Sequence, residues 1–140
     1  MTKLFDFRSV EERISERDTR WDILTEPLDT LIDISDVKFV YHNGIKSDEK
    51  HAFKVFIFTE KRLYTIIRNF EENNVKITTR DLFDIISLEI TLEPGYEAVM
   101  TLVFPDDSVS MVCEDEIDYG IKSQYLVQLK AIYKHLSNLI

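Results

Sequence analysis

Between residues 53 and 140 the apolar side chains keep a two-residue period and then, once, switch to a helical one. That switch constrains the fold more than any other feature of the chain. Ile86, Leu88, Ile90 and Leu92 alternate with Ser87, Glu89 and Thr91, the pattern of a half-buried strand. Pro94-Gly95 turns the chain, and Ala98, Met100, Leu102 and Phe104 form the next apolar face. After Pro105-Asp106-Asp107, Val109, Met111 and Cys113 alternate with Ser108 and Ser110. Upstream, residues 37–41 read as a strand before the turn pair Asn43-Gly44. Residues 53–59 are apolar on both faces, which predicts a strand buried on both sides or covered by the N-terminal helix. Residues 63–68 and 75–79 supply two more strands around Glu71-Glu72-Asn73-Asn74. The sum is about seven hairpin-linked antiparallel strands.

The period then changes. Tyr125, Leu126, Leu129, Ile132, Tyr133, Leu136 and Ile140 recur at helical spacing, with Lys130 and Lys134 facing away. Glu114, Asp115, Glu116 and Asp118 lie just before this helix, where acids suit the positive end of its dipole. At the other end of the chain, Val10, Ile14, Trp21, Leu24, Leu28 and Leu31 outline a narrow apolar stripe. Ser9 with Glu12 three positions later makes a capping box, and Pro27 predicts a break. No repeat, linker or low-complexity tract interrupts the 140 residues, so the expectation is one domain: residues 1–36 as a helical extension packed on a core of residues 37–140.

Composition narrows the function classes. At 44% hydrophobic and 31% charged residues the chain has the profile of a globular protein. No apolar run is long enough to span a bilayer, and Asp6, Arg8, Glu11 and Glu12 interrupt any signal-peptide core. A single cysteine allows no internal disulfide, which points to a cytoplasmic protein. The net charge of −9 divides into −5 over residues 1–36, +4 over residues 37–80 and −8 over residues 81–140. An acidic molecule is repelled by nucleic-acid backbones and anionic membranes, so neither is expected as a partner.

The strand pattern and the closing helix resemble the bacterial pleckstrin-homology-like domains. The most specific local likeness is Val55-Phe56-Ile57-Phe58-Thr59-Glu60-Lys61-Arg62-Leu63-Tyr64, similar to the second strand, the Thr-x-x-Arg-type turn and the third strand of that family. Asp81-Leu82-Phe83-Asp84-Ile85-Ile86-Ser87-Leu88 resembles the entry to the fifth strand. The resemblance covers residues 37–140. It implies an α+β fold: a strongly bent antiparallel sheet, or partly open barrel, capped by the C-terminal helix, with the N-terminal helix as an addition. It also implies a docking module for proteins, peptides or lipid headgroups. Family members that hold phosphoinositides use a basic loop between the first two strands. Here Asp48 and Glu49 offset Lys46 and Lys50 in that loop, so the headgroup pattern is missing.

No catalytic or metal-binding constellation stands out. His42, His51 and His135 sit on different elements, which is not the spacing of a zinc site, and Cys113 falls on a core face beside acids. Gly44, Gly95 and Gly120 are isolated, unlike a phosphate-cradling loop. The expectation is a non-enzymatic interaction module without a cofactor, docking a protein or peptide or associating with itself. The alternatives are a sensor of anionic headgroups or small ligands at a membrane surface, and an acidic regulator of a basic partner. Candidate surface residues are Lys46, Lys50, Lys54, Lys61, Arg62 and Arg68, with Lys76 and Arg80 in the same basic stretch.

Overall fold

A computed structural model of the chain describes residues 5–10, 12, 32–43, 52–95, 97–113 and 119–140. It contains seven strands in two antiparallel sheets and a long C-terminal helix. The chain divides into two compact units, Met1–Thr79 and Arg80–Ile140.

The first unit is built on a sheet of order β1-β2-β3-β4. Its strands are β1 (Phe39–Asn43), β2 (Ala52–Phe58), β3 (Arg62–Asn69) and β4 (Asn74–Asp81), the last two residues of β4 belonging to the second unit. In register, Tyr41 faces Phe56 and Val55 faces Ile66. As expected from its two apolar faces, β2 is covered on both sides: Val55, Phe56, Ile57 and Phe58 are all at most 2% exposed. On one face Phe7, Val10 and Ile32 pack on Val40, Phe53, Val55, Ile57 and Ile66.

The helical turn carrying Phe7 and Val10 starts earlier than the sequence indicates. Its cap is Asp6, whose carboxylate accepts from the Ser9 N–H at 3.2 Å, and whose carbonyl accepts from the Val10 N–H at 2.9 Å. Ser9 therefore lies inside the turn, three residues after its cap. The predicted continuation of that helix over residues 13–27, the loop of residues 44–51 and the acids of residues 114–118 lie outside the described residues.

β3 and β4 meet through a hairpin organised by Arg68, which is 1% exposed. Its Nη1 donates to the carbonyls of Asn69 (3.1 Å) and Asn74 (3.3 Å), and its Nη2 donates to Oδ1 of Asn73 (3.1 Å). The guanidinium stacks 4.6 Å above the Phe70 ring. Asn73 has a left-handed backbone (φ 53°), a conformation that Asn tolerates better than most residues.

The second unit holds a sheet of order β5-β6-β7: β5 (Ser87–Glu93), β6 (Glu97–Val103) and β7 (Ser108–Val112). Gly95, at φ 82°, supplies the left-handed step after Pro94 in the β5–β6 turn. Ala98, Met100, Leu102, Val109 and Met111 form the buried face, with Cys113 extending it and donating its N–H to the Ala98 carbonyl at 3.0 Å. The helix α1 (Tyr119–Leu139) packs on β5 and β6. Tyr125, Leu129, Ile132 and Leu136 are fully buried, while Lys130 and Lys134 are exposed as their spacing predicts. Lys122, by contrast, is 7% exposed and pairs with Glu97 at 3.6 Å.

β5 departs from the half-buried strand expected of it. Leu88 and Ile90 are half-buried, but Ile86 is 66% and Leu92 53% exposed. Ile86 precedes the strand, and Leu92 lies near its far end, opposite Ala98.

Arg80 closes the unit's charge pattern. Its Nε and Nη2 donate to the two carboxylate oxygens of Asp107, the former at 3.3 Å, and its guanidinium sits 5.6 Å from the Phe104 ring. The hydrogen bond from Arg80 holds the Asp107 carboxyl below its ordinary pKa of 3.8, and the charge attraction adds to it. A carboxylate with a depressed folded-state pKa contributes stability that is complete above its unfolded pKa and is lost as pH falls through the folded value. Urea midpoints of the wild type and Asp107→Asn should therefore differ by a constant amount above about pH 5 and converge as the pH drops below about 4.

Candidate functional site

The site is built at the β2–β3 turn. Phe58 and Leu63 are the last ladder pair, leaving four residues to reverse the chain. Thr59 organises them: its N–H donates to the Arg62 carbonyl at 2.9 Å, and its Oγ1 accepts from the N–H groups of Arg62 (3.0 Å) and Lys61 (3.3 Å). A hydroxyl that satisfies backbone donors in this way sets a turn as an Asx residue does. Two consequences follow for the site. The Lys61 and Arg62 amides are already taken, so any ligand meets their side chains rather than a nest of N–H groups. Both side chains are exposed at the tip.

Thr59→Ala should cost about 1 kcal/mol in urea unfolding and speed amide exchange at Lys61 and Arg62, while Thr59→Ser retains most of the stability.

Beside this turn lies a second one, the 3-10 turn Ile34–Asp36. The Asp33 carboxylate accepts from the Ser35 Oγ (2.7 Å) and N–H (3.0 Å), and these two bonds, the side-chain one first, hold its pKa below the ordinary 3.8. Asp33 therefore stays an anion at neutral pH. The ladder brings the two turns together: the Lys38 N–H donates to the Phe58 carbonyl at 2.7 Å, and the Lys38 ammonium pairs with Glu60 at 3.4 Å.

Between the turns is a depression of about 650 Å³ lined by Asp33, Ser35, Asp36, Lys38, Thr59, Glu60, Lys61, Arg62 and Tyr64. Its three carboxylates balance its three cations, and Tyr64 adds the single aromatic ring. The depression thus presents both signs of charge on a single lining.

Of the candidate surface residues named from the sequence, Lys61 and Arg62 are the ones among the described residues that line this groove. Lys54 is exposed on β2, opposite Asn43 and Ile67, and does not line it. Lys76 is exposed on β4, and Arg80 is bound to Asp107. Arg68 is corrected outright: it is buried and its donors are spent on the β3–β4 hairpin, so it offers no surface. Lys46 and Lys50 lie outside the described residues. Sequence reasoning missed Asp33, Ser35, Asp36 and Lys38, and it quoted Thr59, Glu60 and Tyr64 in the turn motif without naming them as surface candidates. The signal for the first three was Asp-x-Ser-Asp just before a strand, a pattern that favours side-chain-to-backbone turns.

Among the described residues, no group of three or more His, Cys, Asp or Glu side chains is placed to hold a metal ion. Among them, too, no helix is long and apolar enough to cross a membrane.

No protein-family profile and no curated protein matches the chain. Among solved structures it is similar to one that contains a pleckstrin-homology domain. That structure is a DUF1696 family protein with a pleckstrin-homology domain from Shewanella loihica PV-4. The identity is 16%, the match covers 76% of this chain and 89% of that one, and the TM-score is 0.46.

Proposed function

We propose that the chain is a non-enzymatic interaction module whose groove between the Ile34–Asp36 turn and the β2–β3 turn docks a segment of a protein partner. The observation that carries this reading is the balance of charge in the groove. Lys61 and Arg62 would attract a phosphorylated headgroup, but Asp33, Asp36 and Glu60 in the same lining repel one. A peptide segment bearing both acids and bases meets each sign with its opposite, which gives specificity by charge pattern rather than by net charge. Two hydrogen-bonded turns hold the lining in place before any ligand arrives, which lowers the ordering cost of binding.

The test is recovery of partners on a tagged copy from its native cells at physiological salt, beside Lys61→Glu/Arg62→Glu. The expected result is a stoichiometric partner retained by the wild type and reduced about ten-fold or more on the variant. A partner held equally by both forms removes the groove from the reading. Salt-sensitive sedimentation with anionic vesicles, again lost in the variant, would replace the protein partner with a headgroup.

A further inference from the structure

We propose that the groove selects a partner segment of segregated charge, basic in one half and acidic in the other. The basic half lies against Asp33 and Asp36, and the acidic half lies against Lys61 and Arg62. The inference rests on the docking role proposed above and adds to it the order of charges on the partner.

The argument starts from the charges already answered within the chain. Lys38 and Glu60 pair with each other at 3.4 Å, so together they present no net charge to a ligand. The other charged groups of the lining divide by sign between the two turns. Asp33 and Asp36 come from the Ile34–Asp36 turn and the residue before it. Lys61 and Arg62 come from the β2–β3 turn. All of them are exposed, and none has an ion-pair partner among the described residues. A lining that is balanced as a whole is therefore acidic on one side and basic on the other.

The backbone holds the two sides in place. Ser35 donates both its hydroxyl and its N–H to the Asp33 carboxylate, which orders the acidic turn and keeps Asp33 ionised. Thr59 Oγ1 accepts from the Lys61 and Arg62 N–H groups, which fixes the backbone that carries the two cations. The Lys38 N–H bond to the Phe58 carbonyl ties one side to the other.

Such a site discriminates by the arrangement of charge. A segment of uniform sign is attracted by one turn and repelled by the other. A segment of alternating sign is nearly neutral in each half and gains little from either turn. A segregated segment gains at both. The repulsion of a uniform segment contributes to the selection as much as the attraction does.

The experiment titrates the isotope-labelled full chain with blocked hexapeptides at about 20 mM salt, where screening is weak, and follows backbone amide shifts. The segregated probes are Lys-Lys-Ser-Ser-Glu-Glu and its reverse, Glu-Glu-Ser-Ser-Lys-Lys. Their controls are the alternated isomer Lys-Glu-Ser-Ser-Lys-Glu and the uniform peptides Lys-Lys-Ser-Ser-Lys-Lys and Glu-Glu-Ser-Ser-Glu-Glu. The expected result is shifts at residues 33–38 and 59–64, with the better segregated probe bound about ten-fold tighter than any control. Lys61→Glu/Arg62→Glu makes both sides acidic and should move the preference to the all-lysine control. Asp33→Asn/Asp36→Lys keeps an acceptor for Ser35, makes both sides basic, and should move the preference to the all-glutamate control. Each preference should change by about ten-fold or more.

Equal binding of the segregated and alternated isomers in the groove overturns the segregation and leaves the docking role standing. A uniform peptide bound best by the wild type does the same. Absence of shifts at both turns with every peptide up to about 5 mM, a weak-affinity limit, removes the groove and both readings with it. Unchanged hydrogen exchange at the buried Val55 and Ile66 verifies that both variants fold.

Discussion

Replacing Arg68 with Met will lower the unfolding free energy by about 3 kcal/mol and the melting midpoint by roughly 10 °C. The sequence gives no hint of so large an effect, because an arginine in a basic stretch normally belongs at the surface. Here one guanidinium satisfies the Asn69 and Asn74 carbonyls and the Asn73 amide oxygen while covering the Phe70 ring. Methionine restores most of the packing volume and none of the donors, so the loss reports the hydrogen bonds rather than a cavity. Arg68→Lys keeps the charge but not the planar fork that reaches several oxygens at once, so it should recover less than half of the stability. Lys61→Met, at an exposed turn, should stay within about 0.5 kcal/mol of wild type. Equal midpoints for Arg68→Met and Lys61→Met would sink the structural assignment of Arg68.

The second large effect lies in α1. Leu129 is fully buried among Tyr125, Ile132 and Leu136 on the face that meets β5 and β6. Truncating it to alanine removes apolar surface from a packed environment and leaves a cavity, costing about 2–5 kcal/mol in denaturant unfolding. Val127, two residues earlier on the same helix, is 68% exposed. Val127→Ala should change stability by less than about 0.5 kcal/mol, since alanine is also the better helix former. The pair of substitutions thus separates burial from helix propensity within one element. A Leu129→Ala protein as stable as Val127→Ala would mean that this face of the helix is not packed.

How much of this was legible in the sequence depended on what each signal measures. Alternation at Val109, Met111 and Cys113, and helical spacing at Tyr125, Leu129, Ile132 and Leu136, gave the elements and their buried sides, because periodicity reports which face of an element is apolar. It does not report what covers that face. Leu92 carries the same signal as Met100, yet Leu92 is 53% exposed and Met100 fully buried. The groove was half legible. Lys61 and Arg62 could be read from a turn motif, whereas Lys38 joins them only through the β1–β2 register. Arg68 failed for a similar reason: its partners are oxygens of the following turn, and a charge count is blind to carbonyl oxygens that gather around a side chain.

Cys113 lends itself to a different use. It is the only cysteine in the 140 residues, and its side chain is 4% exposed on the buried face of the second sheet. A thiol reagent reacts with an exposed thiolate, so labelling must wait for the structure around Cys113 to open. Under conditions where reclosing outpaces modification, the observed rate is the intrinsic rate multiplied by the opening equilibrium. The chain thus carries a built-in clock for transient opening of its second sheet, readable by mass without any engineered probe.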